Sequence, residues 1–240
     1  WDSPWWTIIM GIEHERIHLE TSSVLIRQHA LKFVKPHPQW QPCRKTGIAP
    51  ENQLITVSAG LVQIGKTITD ASYGWDNEYG SHHAEIPSFQ ASRYLVSNKE
   101  FLSFVEANGY GTDHYWEPEG LSWLRHTQAQ HRTFWIKQDS HWHLRLMTEV
   151  TSMPWDWPVE VNYHEAKAFC NWKSVRDKLP VRLPTEDEWY RLYDSSNLSD
   201  VSATQLAAGN LHLDYYASSC PVNEFKHGDF FDVVGNVWQW

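Results

Sequence analysis

Apolar residues recur on one helical side through the first thirty residues, with no proline between Pro4 and Pro36. Ser3 followed by Pro4 has the chemistry of a helix N-cap and first helical position, because serine accepts an orphan amide and proline needs no amide partner. The pattern predicts one helix from residue 4 to about 31, with Met10, Ile17, Val24 and Leu25 on its apolar side. Residues 32–53 then carry Pro36, Pro38, Pro42, Gly47 and Pro50, which leave no room for an element of useful length. A linker, or a strap over a surface, is predicted there.

From Leu54 the apolar residues come in short bursts divided by Gly, Asn and Asp. Leu54–Val57 and Leu61–Gly65 are predicted strands, Thr69–His83 a loop, and Glu85–Tyr94 an extended segment. Three helices are marked by their caps: Ser97 with Glu100, Asn162 with Glu165, and Thr185 with Glu188. In each, a carboxylate three residues beyond the cap satisfies amides that would otherwise be orphaned. Phe101, Phe104 and Val105 share a face of the first helix, and Ala166, Phe169 and Cys170 a face of the second. Residues 110–161 show little regular pattern beyond short strand candidates at Phe134–Ile136 and Leu144–Leu146. Asp232–Trp240 reads as a turn feeding a core strand, with its tryptophans inside. These elements give an α+β fold class, with a helical segment at 1–31, a linker at 32–53 and a mixed domain at 54–240.

Composition narrows the function classes. The 240 residues are enough to bury a core, and 20 basic against 29 acidic residues give a charge of −9. General attraction to nucleic acid or an anionic membrane is not expected, and no apolar run approaches the roughly 18 to 20 residues of a membrane span. Cys43, Cys170 and Cys220 form neither a disulfide framework nor a C-x-x-C pair, so a reducing, cytoplasmic location is expected. Cys170 is placed as a small core residue and Cys220, in a turn-rich segment, as a more exposed one. The chain starts inside a helix and stops at an apolar Asn236–Trp240, so a fragment of a longer protein is expected.

The candidate chemistry begins with His14 and His18. Residues four apart lie on one helical face with Cβ atoms roughly 5–6 Å from each other, so both imidazoles reach one ion. Neutral imidazole suits zinc, iron, nickel or copper. With 14 histidines in 240 residues, the spacing by itself leaves ordinary surface histidines as an equal reading. Glu20 cannot share that face directly and is placed to hold a neighbouring group. His14-Glu15-Arg16-Ile17-His18 also spells the H-E-x-x-H of zinc proteases, but the extended motif fails at Thr21 and Val24, and Arg16 sets a cation beside the metal. His82 and His83 would point to opposite faces of a strand. His141 and His143 would share one, without a third ligand. Asp76, Glu78 and Asp214, with Asn77 or Asn210, are candidates for a structural calcium site that lacks EF-hand spacing.

Several ordered stretches resemble the formylglycine-generating, or sulfatase-modifying, module with its C-type-lectin-like fold. They are Ala59-Gly60 to Ile64-Gly65, Asp76-Asn77-Glu78, Val159-Glu160-Val161-Asn162-Tyr163-His164-Glu165-Ala166 on to Phe169-Cys170-Asn171-Trp172, Arg182 to Trp189, and Gly235-Asn236-Val237-Trp238-Gln239-Trp240. Residues 1–31 resemble the end of a DinB-like helical bundle. Together the two parts resemble the non-haem iron sulfoxide synthases, and His14 to Gln28 is similar to the ovothiol branch, the 5-histidylcysteine sulfoxide synthases. The ergothioneine branch shares the H-x-x-x-H-x-E frame but resembles Thr21 to Gln28 less well.

The resemblance implies an Fe(2+) site of three histidines, of which His14 and His18 are two, with the third upstream of Trp1. It implies that the catalytic proton donor lies beyond Trp240. The implied reaction uses O2 to join L-cysteine to the imidazole of L-histidine and oxidise the sulfur, or does the same with trimethylated histidine in the ergothioneine pathway. In this arrangement the module covers the iron and shapes the substrate site. No nucleic-acid or membrane partner is implied. Rival readings are a formylglycine-generating oxidase, for which a lone Cys220 supplies no C-terminal cysteine pair, a non-catalytic lectin-like binding module, and a zinc metalloprotease.

Overall fold

A computed structural model describes residues 3–196, 198 and 209–240. Helix α1 runs Pro4–Gln28, and the Ser3 hydroxyl accepts the Trp5 amide at 3.3 Å as the sequence predicts. It stops short of residue 31 because His29 turns into extended backbone and Leu31–Phe33 forms a separate 3-10 turn. No residue of α1 is fully buried, and Ile17, Val24 and Leu25 of the predicted apolar side are 44%, 42% and 58% exposed. Trp6, Glu20 and Arg27, spaced by multiples of two helical turns, make the contacts with the rest of the chain instead. The docking face is mixed: Trp6 meets the Tyr73 ring, while Glu20 takes the His212 amide and the Trp238 indole N–H, and Arg27 meets the Arg145 carbonyl, the Glu160 carboxylate and the Phe134 ring.

The strap after α1 has no regular element from residue 34 to 53, yet it is pinned. Asp156 accepts from the Thr46 hydroxyl at 2.8 Å and the Gly47 amide at 2.7 Å, and the Trp157 indole donates to the Lys45 carbonyl at 2.9 Å. Cys43 is buried in the main core.

Strand β1 (Leu54–Val57) pairs antiparallel with β4 (Phe89–Ser92), and β2 (Gly60–Ile64) with β3 (His82–Ile86). The predicted loop therefore ends at Ser81, two residues early, and the predicted extended run to Tyr94 is two strands broken at Pro87-Ser88. Gly65 closes β2 with φ +106°, and a Cβ there would lie 2.5 Å from the Gly80 carbonyl oxygen, so glycine is required. Helix α2 (Asn98–Glu106) follows its Ser97 cap. Helix α3 (Pro118–Thr127) lies in the stretch without regular pattern: Glu117 makes no side-chain cap hydrogen bond, and the start is marked by Pro118 and the acidic Glu119 alone. Strands β5 (Trp135–Gln138), β6 (His141–Arg145) and β7 (Val150–Ser152) form an antiparallel sheet in that order, filling the stretch whose pattern was weak. Helices α4 (Tyr163–Asp177) and α5 (Glu186–Ser195) both carry complete capping boxes. The short pair β8 (Lys226–His227) and β9 (Phe230–Phe231) completes the fold.

The main core lies between α2, α4 and the β5-β6-β7 sheet. Phe101 and Phe169 stack at 5.5 Å between centroids, and Phe104 packs among Tyr110, Trp116, Phe169 and Trp172. Glu165 is buried there without strain, because it takes the Tyr110 hydroxyl at 2.6 Å and the Asn162 amide at 2.9 Å.

Two expectations are overturned. Cys220 is 0% exposed, since Asn236 Oδ1 takes its amide at 2.9 Å and holds it inside the core. Asp232–Trp240 forms no strand, and Trp238 and Trp240 are 66% and 57% exposed. Asp232, Gly235 and Asn236 all have positive φ, which coils this segment into consecutive turns and leaves its indoles on the surface. Among the described residues no helix is long and apolar enough to cross a membrane.

Candidate metal centre

One helical turn separates His14 from His18, and their imidazoles converge. The two Nε2 atoms lie 2.8 Å apart, with ring centroids 4.4 Å apart and planes at 69°. Two imidazoles bound at a right angle to one ion at roughly 2.0–2.1 Å would place their nitrogens about 3 Å apart. The observed spacing therefore fits two neighbouring ligands of one ion. Without an ion, one Nε2 carries the proton and donates to the other. Both histidines are exposed, and among the described residues no group of three or more His, Cys, Asp or Glu side chains gathers around an ion. Among the described residues the site thus has two nitrogen donors and no third.

The nearest cation is already engaged. Arg16, the cation that weighs against a protease, is tied to Glu13 at 2.8 Å. A cleft of about 190 Å³ runs along α1 beside His18, lined by Glu15, Leu19, Ser22, Ile26, and by Trp40 and Met147 from the body of the chain. At the far end of the helix, Arg27 pairs with Glu160, donates to the Arg145 carbonyl at 2.9 Å, and lies 3.9 Å from the Phe134 ring centroid. Glu20 turns to the body of the chain. Its Oε2 accepts the Trp238 indole N–H at 2.6 Å and its Oε1 the His212 amide at 3.1 Å. No local pattern points to Trp238 or His212 as its partners, because both are 190 residues or more away.

The remaining candidates do not form sites. His82 pairs with Asp187 at 3.0 Å, and His141 bonds the Asp139 carbonyl at 2.8 Å, while His143 is half-buried. Asp76, Glu78, Asp214, Asn77 and Asn210 do not converge. Glu78 accepts the Trp75 amide and Asp76 the Asn77 amide, while Asn210 donates to Ser218 and accepts from Tyr216. Cys43, Cys170 and Cys220 are free and buried, and burial pushes the Cys170 thiol up to about 11 and the other two upward as well. None has the lowered pKa of a reactive thiolate.

Comparison with known proteins extends these observations. A hercynine oxygenase of Mycolicibacterium smegmatis is 25% identical over 254 aligned residues, covering 100% of this chain and 56% of the relative. A formylglycine-generating enzyme of Thermomonospora curvata is 25% identical, covering 78% of this chain and 70% of the relative. The chain thus spans about half the length of the hercynine oxygenase it matches. PvdO from Pseudomonas aeruginosa shares the fold, with a TM-score of 0.52 at 17% identity over 82% of this chain and 76% of that one. The sulfatase-modifying factor enzyme 1-like domain model matches residues 43–240, so the chain belongs to that enzyme family.

Proposed function

We propose that this chain supplies the iron-holding helix and the adjoining domain of an oxygenase that couples a thiol sulfur to the imidazole carbon of a histidine-derived acceptor. One observation carries the reading. The family model begins at residue 43, yet the likeness to a hercynine oxygenase continues through α1 and its converging histidines. The name of that relative favours trimethylated histidine as acceptor. Unmodified histidine, the ovothiol-type acceptor, is a second reading supported by the similarity of Thr21 to Gln28.

The reaction balances with dioxygen alone. The thiol S–H and the imidazole C–H are lost, a carbon–sulfur bond forms, one oxygen atom becomes the sulfoxide and the other leaves as water. An iron(II) ion bound by neutral imidazoles would supply oxygen activation and open positions for the thiolate and acceptor. His14 and His18 would hold that ion, each with an unprotonated Nε2. Fixing α1 against the domain turns an encounter of two substrates into an oriented approach. In this reading the third ligand and the proton donor come from parts of the parent protein outside this chain.

The test is oxygen uptake by the full-length parent with a cysteine-type thiol and either histidine or trimethylated histidine, followed by product mass. A sulfoxide adduct of the trimethylated acceptor is expected. An adduct with histidine alone moves the assignment to the ovothiol branch, and no uptake with either acceptor ends the proposal. Iron content that is unchanged in His14→Ala/His18→Ala removes the ligand assignment.

A further inference from the structure

Building on that reading, we infer that Glu20 is a positioning residue: its carboxylate clamps α1 to the turns that carry Trp238 and His212, and so sets the rotation at which the His14–His18 pair is presented. At about 100° per residue, Glu20 lies about 140° around the helix from the mean direction of the two histidines. It therefore cannot bind the same ion. Both of its oxygens are spent on the domain, at 2.6 Å to the Trp238 indole and 3.1 Å to the His212 amide. A charged acceptor strengthens both bonds.

The receiving surface is itself well tied. The Asn236 amide donates to the Asn210 carbonyl at 2.8 Å, joining the turn before Trp238 to the turn before His212. Asn236 bonds both the amide and the carbonyl of Cys220 in the core, and Asn210 bonds Ser218 and Tyr216. Trp238 and His212 are thus two donors on one braced unit. Arg27 and Trp6 also touch the domain, but each lies two or more turns from His18, whereas Glu20 is two residues away. With side chains reaching about 5–6 Å from the axis, a 20° rotation of α1 would move an imidazole nitrogen by about 2 Å. A displacement of about 1 Å in a reacting group is enough to cost roughly 100-fold in rate.

The full-length parent can be tested as Glu20→Gln, Trp238→Phe and the double variant. The glutamine keeps one acceptor for two donors, and the phenylalanine keeps the ring while removing its N–H. Amide hydrogen exchange over residues 14–24 is expected to rise about tenfold in each single variant and no further in the double, as for one shared interaction. Exchange over α2 stays unchanged. Bound iron at saturating metal is expected within about twofold of the parent, and kcat is expected to fall at least tenfold, with acceptor KM changing less than about threefold.

Unchanged exchange in Glu20→Gln, or additive increases in the double variant, overturns the clamp. Loss of iron in Glu20→Gln with full iron in Trp238→Phe also overturns it, by making Glu20 a ligand. The exchange comparison decides the clamp by itself, and failure of the oxygenase reading shows separately as no oxygen uptake by the unmodified parent.

Discussion

The Asn236 side-chain amide donates to Asp232 Oδ2 at 3.0 Å, while Oδ1 of the same carboxyl has no hydrogen-bond partner among the described residues. Asp232 is 0% exposed. Burial pushes its pKa up to about 7, the Asn236 bond opposes that rise, and the negative field of Glu224 adds to it. A buried carboxyl with one unmet oxygen is most stable with its proton on.

The consequence is a stability that falls as pH rises. The folded pKa lies above the unfolded one, so the native state holds the proton more tightly and the benefit is full below about pH 4. It is lost between about pH 4 and about pH 7, by an amount on the order of 4 kcal/mol. Asp232→Asn is expected to flatten that decline and to be more stable than the parent at about pH 8 in urea unfolding. Parallel pH curves for the two proteins would refute this origin.

Phe104 is 0% exposed and packs against the rings of Phe101, Tyr110, Tyr115, Trp116, Phe169 and Trp172. Phe104→Ala is expected to cost about 3–5 kcal/mol, through lost transfer energy and the cavity left behind. Chemical denaturation measures it, and a loss below about 1 kcal/mol would mean that the α2–α4 contact is not the centre of stability.

Arg27 is nearly buried where it meets Glu160, and Arg132 lies 3.7 Å from the same carboxylate. Arg27→Met is expected to cost about 3 kcal/mol, because it removes one partner and leaves Glu160 under-compensated. The Arg27→Met/Glu160→Gln pair is expected to recover part of that loss. Equal stability of the double and the Arg27 variant would show that the pair is not coupled.

His14 and His18 are expected to bind nickel(II) or zinc(II) weakly in this chain, because two imidazoles chelate where one does not. Calorimetric titration should give the same reduced affinity for His14→Ala, His18→Ala and the double variant, and weaker binding in acid, where protons compete for both rings. Undiminished binding in the double variant would place the metal elsewhere.

The capped helices could be read from local chemistry. A cap and its returning carboxylate are three residues apart, so Asn162 with Glu165 and Thr185 with Glu188 announce α4 and α5 before any tertiary contact exists. Helix α3 lacks that signal, and β7 is too short to show a period. The exposed tryptophans of the last turns were misplaced because apolar character says nothing of direction once the backbone leaves the extended region at Asp232, Gly235 and Asn236.

By itself the sequence determined what depends on neighbours within one helical turn: where α1 starts, that His14 and His18 share its face, and which residues cap the later helices. Tertiary structure decided which side of α1 meets the domain. The apolar stripe suggested one side, and Glu20 with Arg27 took another, because a carboxylate and a guanidinium with fixed partners define a rotation that a loose run of aliphatic side chains does not. Those partners stand up to 218 residues away, at separations no local pattern encodes.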